Sequence, residues 1–202
     1  MMNSLAKTTV CALTLLLASC GGGVRRPHYY ALEIPPAPDR MPSAPRFPGT
    51  VVVCRFETPS YLRQGRIVYR ETPEEVGFYE YHRWAAEPAE TATMAMIDTL
   101  RSARLFSFVR RYDGHNQQDY LLAGRLERLE EIDYGGPVRV EAKMSAELVN
   151  LRTGATEWTG DAPATLNVEN RNVDSVVRAM SRAVQNSIDQ LVANLDQRIS
   201  SR

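Results

Sequence analysis

Val138-Arg139-Val140-Glu141-Ala142-Lys143-Met144-Ser145-Ala146-Glu147-Leu148 alternates apolar and polar side chains without a break. Successive side chains of a strand point to opposite faces. Val138, Val140, Ala142, Met144, Ala146 and Leu148 therefore share one face, and Arg139, Glu141, Lys143, Ser145 and Glu147 the other. Running on to Leu151, the stretch reads as a half-buried antiparallel strand. It is entered through Tyr134-Gly135-Gly136-Pro137 and left through Arg152-Thr153-Gly154-Ala155, both rich in turn formers. Its neighbours in sequence, Tyr120–Ile132 and Thr156–Val168, then become its neighbours in the sheet. In the first, Leu122, Gly124, Leu126 and Arg128 continue one side. The second carries Trp158.

Beyond this meander the period changes from two to 3.6. Val173, Val176, Val177, Met180, Val184, Ile188, Leu191, Leu195 and Ile199 recur at three and four residues, which predicts one long amphipathic helix with Asn172 or Asp174 as its cap. Its polar side mixes Asp189 and Asp196 with Arg178, Arg182 and Arg198. That mixture suits packing on the sheet better than lying on a membrane surface.

Upstream, His28–Ile34, Thr50–Glu57, Arg66–Arg70 and Val76–His82 read as strands, the last two as a hairpin across Thr72-Pro73-Glu74-Glu75. Pro35–Pro48 is too proline-rich for a ladder and reads as an extended loop. Pro88 opens a helix to Ala103, with Met94, Ile97 and Leu100 as its apolar stripe and Asp98, Arg101 and Arg104 outward. Phe106–Arg111 is a further strand, followed by a polar turn at Asp113–Asn116. The fold class is α/β (α+β), a mostly antiparallel sheet covered on one face by two helices, in a single domain.

The start of the chain has a different character. Lys7, an apolar run from Val10 to Ala18, and then Leu17-Ala18-Ser19-Cys20 before three glycines form a secretory signal whose end resembles a bacterial lipobox. The run is too short to span roughly 30 Å of hydrocarbon. Lipidation of Cys20 is the expected consequence, with residues 1–19 as the signal, 20–27 as a flexible tether and 28–202 as the folded domain. More than one acyl chain on Cys20 gives stable anchoring. Gly21, not Asp, follows Cys20, which on the sorting pattern of such lipoproteins implies the outer membrane, periplasmic face.

The 202 residues balance 24 basic against 24 acidic side chains, and loss of Lys7 with the signal leaves a net charge of −1. A basic excess of the kind that binds nucleic acid is absent. Of the three cysteines, Cys11 leaves with the signal and Cys20 is acylated, so Cys54 stands alone, expected as a small buried hydrophobe.

Signals of catalysis are weak. His28, His82 and His115 sit in different elements, and any one could act as a general base in a hydrolase. No histidine or cysteine pair has metal-ligand spacing. The acid pairs Glu74-Glu75 and Glu130-Glu131 read as solvated. No cofactor is expected beyond the covalent lipid on Cys20. The span from Ile67 to Pro88 gathers Tyr69, Phe78, Tyr79, Tyr81 and Trp84, residue types enriched at protein interfaces. One reading places Phe78 and Trp84 in the core and Tyr79 and Tyr81 on a partner-docking surface. The other has all of them filling the core beneath the first helix.

The lipobox, Tyr29-Tyr30-Ala31-Leu32, the Pro-rich gap, a Val-rich strand, Ile67-Val68-Tyr69-Arg70, a Tyr-rich strand ending in Arg83-Trp84-Ala85-Ala86-Glu87-Pro88, and a helix leading to Leu105-Phe106 come in an order that resembles the ABC-type transport auxiliary lipoproteins, the PqiC-like group. The resemblance implies a non-enzymatic component of an MCE-type system moving phospholipids or other hydrophobic compounds across the envelope. Its implied partners are an MCE-domain protein and ABC transporter subunits, with a homo-oligomeric ring as a further implied assembly and no nucleic acid. An envelope scaffold unrelated to transport is the alternative.

Overall fold

Strand alternation and turn chemistry become eight strands and two helices in a computed structural model that describes residues 25–35, 45–114 and 118–200. In chain order these are β1 (His28–Tyr30), β2 (Phe47–Val53), a 3-10 turn (Ser60–Gln64), β3 (Arg66–Arg70), β4 (Gly77–Trp84), α1 (Pro88–Ala103), β5 (Phe106–Arg111), β6 (Tyr120–Ile132), β7 (Arg139–Asn150), β8 (Thr156–Asn167) and α2 (Val173–Ser200). The expected signal and the expected acylation site at Cys20 lie outside the described residues, as do residues 36–44 and His115.

The meander read from the alternation is the spine. β6 and β7 pair antiparallel along their length, and β8 pairs antiparallel with β7. The other edge of β6 is shared. β2 runs parallel to its start, with Val51–Val53 beside Tyr120–Leu122. A bridge from Glu57 to Arg125 follows, the chain leaves through the 3-10 turn, and β3 re-enters parallel to its end, with Tyr69 beside Glu131. Because the chain departs and returns on the same edge in the same direction, both contacts are parallel. β5 adds parallel to β2; β4 adds antiparallel to β3, and β1 parallel to β4. The sheet is mixed, with the long ladders antiparallel. Side-chain period reports which face a residue occupies, not strand direction, so it could not have shown the parallel contacts.

α1 and α2 lie against each other on one face of the sheet, α2 over β7 and β8 and α1 over β5 and β6. Val140, Ala142, Met144, Ala146 and Leu148 meet Val184, Ile188 and Leu191 there, all buried. Each large aliphatic side chain so buried contributes about 1.5–3 kcal/mol. Asn172 caps α2, its side-chain oxygen accepting from the Ser175 N–H at 2.9 Å. The α1 stripe is rotated from expectation. Met94 is 41% exposed, while Ala89, Ala92, Met96, Ile97 and Leu100 are buried. α1 touches both sheet and α2, and alanines at the contact allow that close approach.

Two features of β6 depart from simple alternation. A Cβ on Gly124 would fall 2.4 Å from the Phe56 ring, which lies on the sheet at that point. A bulge between Leu126 and Arg128 then changes parity. Leu129 takes the core position opposite Ala142, and Arg128, expected beside Leu126, is exposed and paired with Glu141 at 2.8 Å.

Candidate functional site

The tyrosine-rich segment lies where β3, β4 and β1 meet the end of β6. β4 opposes Phe78 to Val68 and Arg83 to Arg66, so the intervening residues leave the ladder. Tyr79 and Tyr81, expected together on one face, are separated by this irregularity. Tyr79 is half-buried. Its hydroxyl donates to Glu131 Oε2 at 2.6 Å, and its ring meets Tyr69 and His82 edge-on, with centroids 5.2 and 5.5 Å away. Burial and the bond to Glu131 hold its hydroxyl protonated far above the ordinary tyrosine range. Tyr81 lies under the Arg25 guanidinium, 5.7 Å from ring centroid to carbon, and a hydrogen bond to Glu80 pushes its hydroxyl pKa up. Trp84 is buried, as expected, and Phe78 is half-buried against the core.

The register of β1 on β4 brings two of the three histidines together. His28 stands opposite His82, and their rings stack with centroids 5.4 Å apart. His82 Nδ1 is 3.0 Å from the Tyr30 hydroxyl. Burial, then the charge of His28, pull the His82 pKa down, against a weaker opposing effect of Asp174. This is a packed aromatic latch that ties the first strand to the domain. Among the described residues no cluster of three or more His, Cys, Asp and Glu side chains could hold a metal ion.

Glu130 and Glu131 are the main correction. Read as a solvated pair, they are 0% and 7% exposed. They point to opposite faces, and each meets a tyrosine. On the face away from the helices, Glu130 accepts from the Tyr61 hydroxyl at 2.5 Å and from Arg70, whose Nε and Nη2 both reach it. Burial, then the bond to Glu130, drives the Tyr61 pKa well above its ordinary value. On the helix face, Glu131 is held by Tyr79, and burial raises its carboxyl pKa. Tyr69, Phe78, Tyr79, Glu71, Glu80 and Glu131 line a shallow cleft of about 470 Å³ there. Nothing in local spacing identifies this network, because the bulge before Arg128 resets which face each glutamate takes. Glu74 and Glu75 are exposed as expected.

Cys54 is half-buried rather than enclosed, and burial pushes its thiol pKa up, away from the reactive thiolate. Cys20, the lipidation site read from the sequence, lies outside the described residues.

The model of the ABC-type transport auxiliary lipoprotein component family matches residues 30–192. Curated proteins yield no significant match. Among solved structures, protein XCC0632 from Xanthomonas campestris superposes with a TM-score of 0.73 at 18% identity, covering 87% of this chain and 100% of that one. An uncharacterized protein gives 0.67 at 13% identity over 85% and 99% of the two chains. The hypothetical protein CT253 from Chlamydia trachomatis gives 0.53 at 8% identity over 76% and 99%. At these identities the likeness is one of fold.

Proposed function

The chain belongs to the ABC-type transport auxiliary lipoprotein family, and from that premise we propose that it is the outer-membrane-anchored, periplasm-facing docking component of an MCE-type transport system for phospholipids or other hydrophobic compounds. The observation that carries this reading is continuity. The family match begins at residue 30, ten residues after a Cys in lipobox context, so anchor and auxiliary domain adjoin with only a short tether between them. Acyl chains on Cys20 hold the domain at the membrane. The domain acts by binding and orienting a partner, with no catalytic step and no cofactor beyond the lipid.

Docking is assigned to the Tyr79–Tyr81 segment, with the burden on Tyr81. The Tyr79 hydroxyl is already committed to Glu131, so a partner meets its ring edge at most. Tyr81 offers an amphipathic ring at the margin of the sheet, and aromatic side chains of this kind anchor interfaces at low entropic cost. The partners are an MCE-domain protein and ABC transporter subunits, and a ring of copies is the assembly the family suggests.

A photo-crosslinking residue at Tyr81, in cells, tests this directly. Capture of an MCE-domain or transporter subunit from Tyr81, and not from a control position at Thr159, supports the docking role. Capture of secretion or cell-wall proteins overturns it in favour of a scaffold. Separately, Cys20→Ala should leave the outer-membrane fraction, and tight retention there would show that acylation is not what holds the protein.

A further inference from the structure

Some arginines in this domain face carboxylates: Arg70 meets Glu130, Arg111 meets Glu90, and Arg128 meets Glu141. Others do not, and four of these gather around one end of the β3–β4–β1 ladder. Among the described residues Arg25, Arg26, Arg66 and Arg83 make no ion pair. Their placement is unusual as well. Arg66 and Arg83 are direct partners across the antiparallel β3–β4 pair, and Tyr29 is the partner of Arg83 across the β4–β1 pair. The three form a row, Arg66–Arg83–Tyr29, on one face of the sheet. Like charges opposite each other in a ladder are destabilising, and no acid intervenes. Tyr29 is 64% exposed, the most exposed large hydrophobic side chain described. Arg25 and Arg26, both exposed, lead the chain into this row, Arg25 resting on Tyr81. The nearby acid, Glu80, is engaged by the Tyr81 hydroxyl.

We propose that Arg25, Arg26, Arg66 and Arg83, with Tyr29, form a surface that lies on an anionic lipid bilayer. A row of guanidiniums without acids matches phosphate-bearing head groups, to which arginine donates in a planar fork. A tyrosine beside them is the amphipathic side chain that settles at a membrane–water interface. Position selects a lipid surface over an acidic protein partner. Arg25 lies only five positions along the chain from Cys20, a reach of at most about 18 Å. A short tether holds these arginines close to the membrane, where attraction to anionic lipid acts within roughly a Debye length of 8–10 Å. The orientation rests on the Cys20 anchor reading, and the test is built without an acyl chain so that the two can fail separately.

The mature chain, residues 20–202 carrying Cys20→Ser, is mixed with vesicles of phosphatidylcholine alone and of phosphatidylcholine with phosphatidylglycerol, and the bound fraction is measured by flotation. Binding is expected to the anionic vesicles only, and to be lost at high salt. Each arginine near an anionic surface is worth about five-fold in partitioning, so Arg66→Gln with Arg83→Gln should weaken binding about 30-fold. Arg25→Gln with Arg26→Gln precedes the first strand and should weaken it less, about five-fold, because Arg25 gives up its contact with the Tyr81 ring on meeting lipid. No binding to anionic vesicles, equal binding to both vesicle types, or undiminished binding by both double variants would overturn the proposal. So would binding of polyglutamate in place of vesicles, which would assign the surface to an acidic protein.

Discussion

Replacing Arg70 with Met isolates one buried ion pair of the domain. Glu130 is 0% exposed and receives Arg70 through two guanidinium nitrogens, with Tyr61 as its third donor. Removing one member of a buried ion pair costs about 3–5 kcal/mol, because the remaining charge is left without compensation. Three features reduce that here. The Arg70 side chain is itself 17% exposed, Tyr61 keeps its hydrogen bond, and Arg128 stands 4.0 Å from the same carboxylate. Arg70→Met should therefore cost about 2–3 kcal/mol, with the methionine retaining most of the apolar stem. Glu130→Gln is the asymmetric counterpart. It leaves an acceptor for Tyr61, and Arg70 can turn toward water, so about 1 kcal/mol is expected.

The assay is urea unfolding followed by tryptophan fluorescence, for which Trp84 and Trp158, both buried, are native reporters. In the double-mutant cycle, Arg70→Met in the Glu130→Gln background should cost at least about 1.5 kcal/mol less than in wild type. If Arg70→Met lies within about 0.5 kcal/mol of wild type, or the two changes add without coupling, then Glu130 is not the uncompensated charge argued for and the burial of this network is misjudged.

Two further changes probe the same strand. Gly124→Ala would drive a methyl group into Phe56, 2.4 Å from the ideal Cβ, and should cost about 1–3 kcal/mol in the same unfolding assay, whereas a neutral result would mean that Phe56 is free to move aside. Glu131 holds its proton more readily folded than unfolded, since burial raises its pKa, so it contributes least at high pH and stability rises as pH falls through the folded value toward the unfolded value near 4.3. Glu131→Gln, which still accepts from Tyr79, should abolish that slope and leave the variant more stable than wild type at pH 8 but not at pH 4. A gap that does not change with pH would show that Glu131 does not titrate with folding.

The elements whose reading needs only local chemistry were legible in the sequence. Val138–Leu148 alternates because β7 has one face under α2 and one in water, and α2 carries an unbroken stripe because one face meets β7 and β8. Pro88 at the first helical position and Asn172 as a cap follow from the same local rules. What escaped depends on contacts between residues far apart. The parallel attachment of β2 and β3 to β6 is set by the excursion of Thr58–Gly65 away from the edge, which has no periodic signature. Met94 and Arg128 were misplaced because a helix touching two surfaces and a bulged strand both shift the face that spacing alone assigns. Glu130 and Glu131 looked like an ordinary charged strand end until Tyr61, Arg70 and Tyr79 arrived from about 50 to 70 residues away. The tyrosine-rich segment was visible as a composition, but the division of labour between Tyr79, locked to Glu131, and Tyr81, resting under Arg25, is a product of the β4 irregularity.

That division joins the two proposals at one side chain. Arg25 covers the Tyr81 ring in the free domain. A guanidinium stacked on a partly exposed aromatic is held by only about 0.5–1 kcal/mol, comparable to the roughly 1 kcal/mol that an anionic surface offers the same arginine. Lipid head groups therefore compete with Tyr81 for Arg25 on nearly equal terms. Engagement with the membrane would draw Arg25 away and uncover the ring on which partner docking depends. On this arrangement the basic row and the docking tyrosine are coupled sites. Arg25→Gln should weaken attachment to lipid while leaving Tyr81 permanently uncovered, so crosslinking from Tyr81 should become independent of anionic lipid. If Tyr81 in this variant still captured its partner only when anionic lipid was present, the two surfaces would not be linked through Arg25.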